Sequence, residues 1–353
     1  MEDALDIDLH ALETIGRSSY IGVLKSTGQQ VKVVIAQGAE VRPLREAAAL
    51  RRQLAEEFAG KAGLPVPFPA ALRSGPCLFK GSAAWAFVYV YVPGADLTSI
   101  VRQLEPGQES EVAHEIGQAT GFSLAALHST SQPLARNRQK ETTDAVEHGT
   151  TWREATLARQ EALARRVHEA SKITGLNDHQ TQRARSLADM FTNHFKTPRH
   201  HEASQTPSCL IHSDLHGGNV VMDIDAALDS RVASFIDDRL SAGDGGYDIA
   251  SIQDWALEVM DRKSFTAFTH GLEFGYKSLV PDYAMRTSDL LLYLTARSLG
   301  RLAYYARSAP KWVEPYGSEH LTCHLDLLGR IAETADSLDS VIDPFATVRR
   351  LIT

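Results

Sequence analysis

The chain has 353 residues and is 43% apolar, enough to bury a large core spread over two or three lobes. Its 36 Lys and Arg stand against 44 Asp and Glu, a net charge of −8 that lacks the basic footprint required by nucleic acid or an anionic membrane. Cys77, Cys209 and Cys323 are far apart with no C-x-x-C pair, which argues against a disulfide framework or a thiolate zinc site.

The opening MEDALDIDLH is acidic and has no secretory-signal character, and the longest apolar run, Ala83 to Val92, is too short to span a bilayer. The cytoplasm is the expected location. From Tyr20 to Ala36, two β-branched runs surround Ser-Thr-Gly and predict a hairpin. In its second strand Val31, Val33 and Ile35 alternate with Lys32, Val34 and Ala36. A helix follows between Pro43 and Gly60, with Glu46, Leu50 and Leu54 on one face, so Glu46 is expected to lean toward the protein body.

Leu64 to Ala70 is a proline-punctuated connection, and the strand at Trp85 to Val92 ends at Pro93-Gly94. Beyond Gly94 the pattern turns helical, with Ile116, Thr120, Leu124 and Leu127 on one buried face. Ala135 to His201 is polar and charged and reads as one or two solvated helices. Short strands CLIH, NVVMDI and VASFID come next, and the remainder is helical, including a segment with Leu291, Leu294, Leu302 and Tyr305 on one face. Arg297 and Arg301 on that segment are expected to form a solvated charged face. The resulting class is α+β: a small sheet with one helix (residues 1–93), then a larger mainly helical body (residues 94–353).

The stretch LIHSDLHGGNVV places His212, Asp214 and Asn219 in the pattern H-x-D-x-x-x-x-N. That spacing suits phosphoryl transfer, in which one carboxylate faces the acceptor hydroxyl while an amide oxygen and a second carboxylate hold a metal on the phosphates. Asp237 closes the apolar run Val232 to Ile236, where a strand end can aim such a carboxylate into a cleft. In GDGGYDIA, Asp244 is a predicted helix N-cap and Asp248 lies in the first helical turn.

Together, IHSDLHGGNVVMD and FIDDRLSAGDGGYDIA resemble the catalytic core of the aminoglycoside phosphotransferase family, small-molecule relatives of protein kinases that include choline kinase-like enzymes. REAAALRRQLA, YVPGADL and LAALH extend the resemblance along most of the chain. It implies a bilobal protein kinase-like fold with ATP between the lobes, Asp214 as the catalytic carboxylate, His212 as a loop-stabilising residue, and Mg2+ on Asn219 and Asp237. It further implies that Glu46 pairs with a phosphate-binding lysine, that Tyr89 to Val92, including Tyr91, offer backbone groups to adenine, and that Gly16, Ser18 and Ser19 form a loop over the phosphates.

The sequence departs from the family where Val34 stands at the usual lysine position, with Lys32 two residues earlier on the same strand face. Asp238 replaces a common aromatic residue and Gly245 a frequent proline. The expected partner is a small hydroxylated molecule, and the acidic balance slightly favours a cationic one. Asp254, Glu258 and Glu314 are candidate receivers of an ammonium. Two other readings use the same residues: a metal-dependent hydrolase with zinc on His212, Asp214 and His216, for which His200, His201 and His324 show no completing ligand spacing, and a nucleotide-binding kinase homologue without turnover.

Overall fold

The computed structural model describes residues 5–8, 12–15, 18–61, 64–104, 109–136, 152–194, 208–225, 231–237, 240–306, 319–334 and 341–352. Gly16, His200, His201, Asp238 and Glu314 lie outside these residues. The first part is a five-stranded antiparallel sheet in the order β1-β2-β3-β5-β4: β1 (Glu13–Thr14), β2 (Ser19–Val23), β3 (Gln30–Ala36), β4 (Ala71–Phe79) and β5 (Ser82–Val90). The predicted hairpin is β2-β3, with Val23 opposite Gln30 and Gly28 at φ +70° in the turn.

Strand alternation gives this sheet two buried faces. Val31, Val33, Ile35, Ala86 and Val88 pack beneath Leu5 and Ile7 on one side. Ala36, Phe87 and Tyr89 pack with Ala48 of helix α1 (Val41–Ala59) on the other. Further along, Leu50, Leu54 and Phe58 of the same helix join the large core of the helical body. That helix therefore ties the sheet to the body.

Chain direction changes at Pro93-Gly94. Gly94 has φ +116°, and a Cβ there would lie 2.3 Å from the Met222 carbonyl oxygen, so both the backbone conformation and the close approach require glycine. Next, β6 (Ala95–Asp96) pairs with β8 (Val220–Met222), which pairs with β9 (Ser234–Phe235). β7 (Cys209–Ile211) pairs with β10 (Ser241–Gly243), a short strand absent from the sequence reading. These small sheets hold the stretch around Asp214.

The body consists of α2 (Leu97–Arg102), α3 (Glu109–Thr130), α4 (Trp152–Glu169), α5 (Asp178–His194), α6 (Gly245–Val259), α7 (Arg262–Lys277), α8 (Thr287–Tyr305), α9 (Glu319–Thr334) and α10 (Pro344–Ile352). The expectation of solvated helices between Ala135 and His201 needs correction. Leu163, Ala164 and Val167 of α4 and Ala184, Ala188 and Phe191 of α5 are buried in the main core, while the intervening charged residues face outward. Small Ala and Thr side chains carry much of this buried face, which kept the hydrophobic pattern weak. No helix among the described residues is long and apolar enough to cross a membrane.

Candidate active site

Asp214 lies in the loop after β7, a loop fixed from behind by Asp248. This carboxylate, fully buried in the first turn of α6, accepts hydrogen bonds from the backbone N–H groups of His212 at 2.7 Å and Ser213 at 3.2 Å. Ser213 has φ +64°, a left-handed conformation costly for a residue with a Cβ. The two bonds to Asp248 hold it there. His128 of α3 approaches the same carboxylate with Nε2 at 3.4 Å, and its Nδ1 lies 2.9 Å from the Tyr276 hydroxyl. The sequence suggested only helix-dipole and N-cap roles for this turn, and its grip on the loop was not legible there.

His212 is buried, with Nε2 2.7 Å from the Ile236 carbonyl oxygen and its ring edge-on to Phe235. It joins the loop to the strand leading to Asp237. The Asn219 side-chain N–H donates to the Asp214 carbonyl oxygen at 3.0 Å, leaving its own oxygen as an acceptor. The Ile236 N–H donates to the Asn219 carbonyl oxygen at 2.9 Å, so Asn219 and the segment ending at Asp237 run side by side. Asp237 is exposed at φ +54°, another left-handed residue, two positions beyond the end of β9. Two oxygen donors flanking the ends of adjacent strands β8 and β9, one an amide and one a carboxylate, suit a hard divalent cation such as Mg2+.

Gly217 follows His216 in the 3-10 turn. A Cβ at Gly217 would fall 2.1 Å from the Trp255 ring, and the Trp255 indole N–H donates to the Thr98 hydroxyl at 3.2 Å. The glycine therefore lets α6 close against the loop. His216 caps the turn, its Nδ1 accepting from the Gly218 N–H at 3.1 Å. Burial lowers its pKa, with Arg301 and Arg297 acting in the same direction against Asp214.

The zinc alternative gains no support, because the described residues whose ligand atoms gather do not include His212, Asp214 and His216. His212 gives one ring nitrogen to a carbonyl oxygen and His216 one to a backbone N–H, and among the described residues the cluster able to hold a metal is Asp254, Glu258 and His324. Their ligand atoms lie within 4.8 Å of one another, a proximity that sequence separation concealed. Cations already cover it. His324 lies 3.3 Å from Asp254 and 2.8 Å from Glu258, Arg301 Nε is 2.6 Å from Glu258, and Arg297 Nε is 3.9 Å from Asp254.

Burial works against a charged His324, yet Asp254 and Glu258 outweigh it and raise the imidazole pKa from 6.5 to about 9. A raised pKa contributes stability that is fully present below the unfolded value near 6.5 and is lost as pH rises through about 9. The gap corresponds to about 3 kcal/mol. Denaturant melts from pH 6 to 10 should lose stability across that upper range, and His324→Gln should remove this component of the pH dependence. Equal alkaline slopes in the two proteins would disprove the assignment.

The cluster also revises two expectations. Arg297 and Arg301 are not a solvated face: their side chains are 9% and 27% exposed and point at interior carboxylates. Asp254 and Glu258 face His324 and the arginines, cations that would compete with an ammonium for them. The sequence pattern could not reveal this, because α9 supplies the histidine from a segment distant in the chain.

In the sheet, Lys32 lies opposite Ile21 and Tyr89, and Val34 opposite Ser19 and Phe87. The Ile35 N–H donates to the Ser18 carbonyl oxygen, bringing the Ser18-Ser19 segment beside Val34. Glu46 differs from expectation. Its carboxylate is 57% exposed and pairs with Arg42 at 3.0 Å, one turn earlier on α1. The row through Glu46, Leu50 and Leu54 is buried only at Leu50 and Leu54, where the helical body lies beneath it. Arg51, unremarked in the sequence, is buried on this helix, donates to the Pro69 carbonyl oxygen at 2.8 Å and stands 5.1 Å over the Tyr89 ring. Tyr89, Tyr91 and Val92 close β5 and enter the connection to the body.

The chain is similar to solved structures with a kinase-like fold. A microcompartment-associated aminopropanol kinase aligns with TM-score 0.55 and 16% identity over 92% of this chain and 93% of its own. The GDP complex of wild-type aminoglycoside 2'-phosphotransferase-IIIa aligns with TM-score 0.50 and 14% identity over 95% and 96%. No curated protein matches the sequence. Residues 24–283, well over half of the chain, match the phosphotransferase enzyme family, and the chain belongs to that family as a small-molecule kinase.

Proposed function

We propose that this protein transfers the γ-phosphate of magnesium-bound ATP to a hydroxyl of a small molecule. The observation carrying this reading is the convergence of Asp214, Asn219 and the Asp237 strand end through two hydrogen bonds, Asn219 side chain to Asp214 carbonyl and Ile236 N–H to Asn219 carbonyl. In the reaction the acceptor oxygen bonds to the γ-phosphorus, the bridge to the β-phosphate breaks, and ADP leaves. Asp214 orients the hydroxyl and takes its proton. A bound magnesium ion would sit on Asn219 and Asp237 and neutralise charge on the phosphates.

Residues 1–93 form the nucleotide-binding lobe in this reading and residues 94–353 the catalytic lobe, with Gly94 at the join. Backbone groups of Tyr89, Tyr91 and Val92 receive adenine, and Ser18 and Ser19 border the phosphates. Lys32, on the α1-facing side of β3, is the phosphate-binding cation, acting without Glu46, which is held by Arg42. His212 stabilises the loop through Ile236.

The test is ADP release from magnesium-ATP across amino alcohols, aminoglycosides, sugars and hydroxy acids, with calorimetry of nucleotide binding beside it. Acceptor-dependent release supports the kinase. Binding with no release from any acceptor would favour a nucleotide-binding homologue, and absence of binding would remove the reading.

A further inference from the structure

We infer that the acceptor carries an anionic group, a carboxylate or a phosphate, which the guanidinium of Arg297 receives beside Asp214. This rests on the phosphoryl-transfer reading above. Arg297 projects from the middle of α8, and its Nη1 lies 3.9 Å from Asp214 Oδ1, so it borders the space in which the acceptor hydroxyl must meet that carboxylate. Its side chain is only 9% exposed; the Tyr247 hydroxyl is one partner, Nε faces Asp254 Oδ2 at 3.9 Å and Nη1 faces Asp214 at 3.9 Å, so both carboxylates stand beyond hydrogen-bond distance. A guanidinium has five N–H donors in a planar fork, and holding its Asp214-facing edge this buried with no carboxylate in hydrogen-bond reach is costly unless a ligand completes the set. A carboxylate or phosphate matches that fork.

Charge balance points the same way. Asp254 and Glu258 face three cations, His324, Arg301 and Arg297, which leaves one positive charge in surplus next to Asp214. Asp214 is the remaining countercharge, at a loose 3.9 Å and 46% exposed. During transfer Asp214 accepts the hydroxyl proton and loses its charge, leaving Arg297 without that compensation at the moment of reaction. An anion on the acceptor supplies it. An ammonium on the acceptor would instead meet Arg297 and Arg301 as like charges, with Asp254 and Glu258 already facing three cations.

The test uses the full-length protein with magnesium-ATP and acceptors in matched sets: glycerate, glycerol 3-phosphate, glycerol and 3-amino-1,2-propanediol, with corresponding acid, phosphate, neutral and amino forms of a pentose and a hexose. An anionic member should have at least tenfold higher kcat/KM than its neutral and amino counterparts, and the acid and phosphate arms identify which anion is taken. Arg297→Gln should lower kcat/KM for the anionic acceptor by about 100-fold, chiefly through KM, as expected for loss of a charge-assisted bidentate pair. Turnover of the neutral form should change much less. Arg297→Lys, which keeps the charge over Asp254, should fold normally and recover part of the loss.

Amino or neutral acceptors working as well as anionic ones would overturn the inference and leave the kinase intact. So would an Arg297→Gln loss that is equal for all acceptors, since that would reduce the arginine to a support for Asp214. If magnesium-ATP binds but no acceptor turns over, thermal shift of the ADP-bound protein with inorganic phosphate and with glycerate decides. Stabilisation that disappears in Arg297→Gln supports the subsite, and no stabilisation overturns it. Failure to bind magnesium-ATP would remove the kinase reading itself, a separate result.

Discussion

Asp214→Asn is expected to reduce phosphoryl transfer by about 10²–10⁴-fold, the range for loss of a positioned general base, while magnesium-nucleotide binding stays within about twofold. The reason lies in how the loop is held. Asn219 bonds the Asp214 carbonyl oxygen, and Asp248 holds the backbone of His212 and Ser213, so none of these anchors uses the Asp214 carboxylate. That carboxylate is 46% exposed and contributes little to packing. Its amide replacement keeps the shape and loses both the charge and the proton-accepting capacity. Single-turnover kinetics should place the loss in the chemical step, and calorimetry should give nearly unchanged nucleotide affinity. Wild-type turnover in Asp214→Asn would remove this residue from the chemistry.

Local chemical patterns in the sequence were legible because they depend on near neighbours in the chain. The hairpin at Gly28, the turn at Pro93-Gly94, the Asp244 cap and the H-x-D-x-x-x-x-N spacing all belong to this kind. The Asp244 carboxylate does accept from the Gly246 N–H, at 2.9 Å. What escaped was built by chain segments far apart. Asp248 reaches back to His212, and Asp254 and Glu258 of α6 meet Arg297 and Arg301 of α8 and His324 of α9. A charged residue on a helix is normally solvated, so a reading from periodicity assigns Arg297 to the surface unless the opposing carboxylates are known. Glu46 illustrates the converse. Its spacing with Leu50 and Leu54 was correct, but the body that buries those leucines does not extend beneath the first turns of α1.

Asp248→Ala should destabilise the protein by about 3–5 kcal/mol, the range for removing one member of a buried charged network. The backbone N–H groups of His212 and Ser213 would lose their acceptor, each a penalty of about 1–3 kcal/mol when buried. His128 would lose its neighbour at 3.4 Å as well. Ser213 would lose the Asp248 bond that favours its left-handed conformation, so the Asp214 carboxylate should drift from its position and the folded fraction should transfer phosphate poorly. Asp248→Asn retains one acceptor oxygen and the side-chain volume, and its loss should be about half as large. Urea denaturation measures the stability change, while activity per folded molecule at low temperature separates loop displacement from unfolding. A variant with alanine at 248 that melts within about 1 kcal/mol of wild type, or keeps full activity once folded, would show that the loop is held by its own strands rather than by α6.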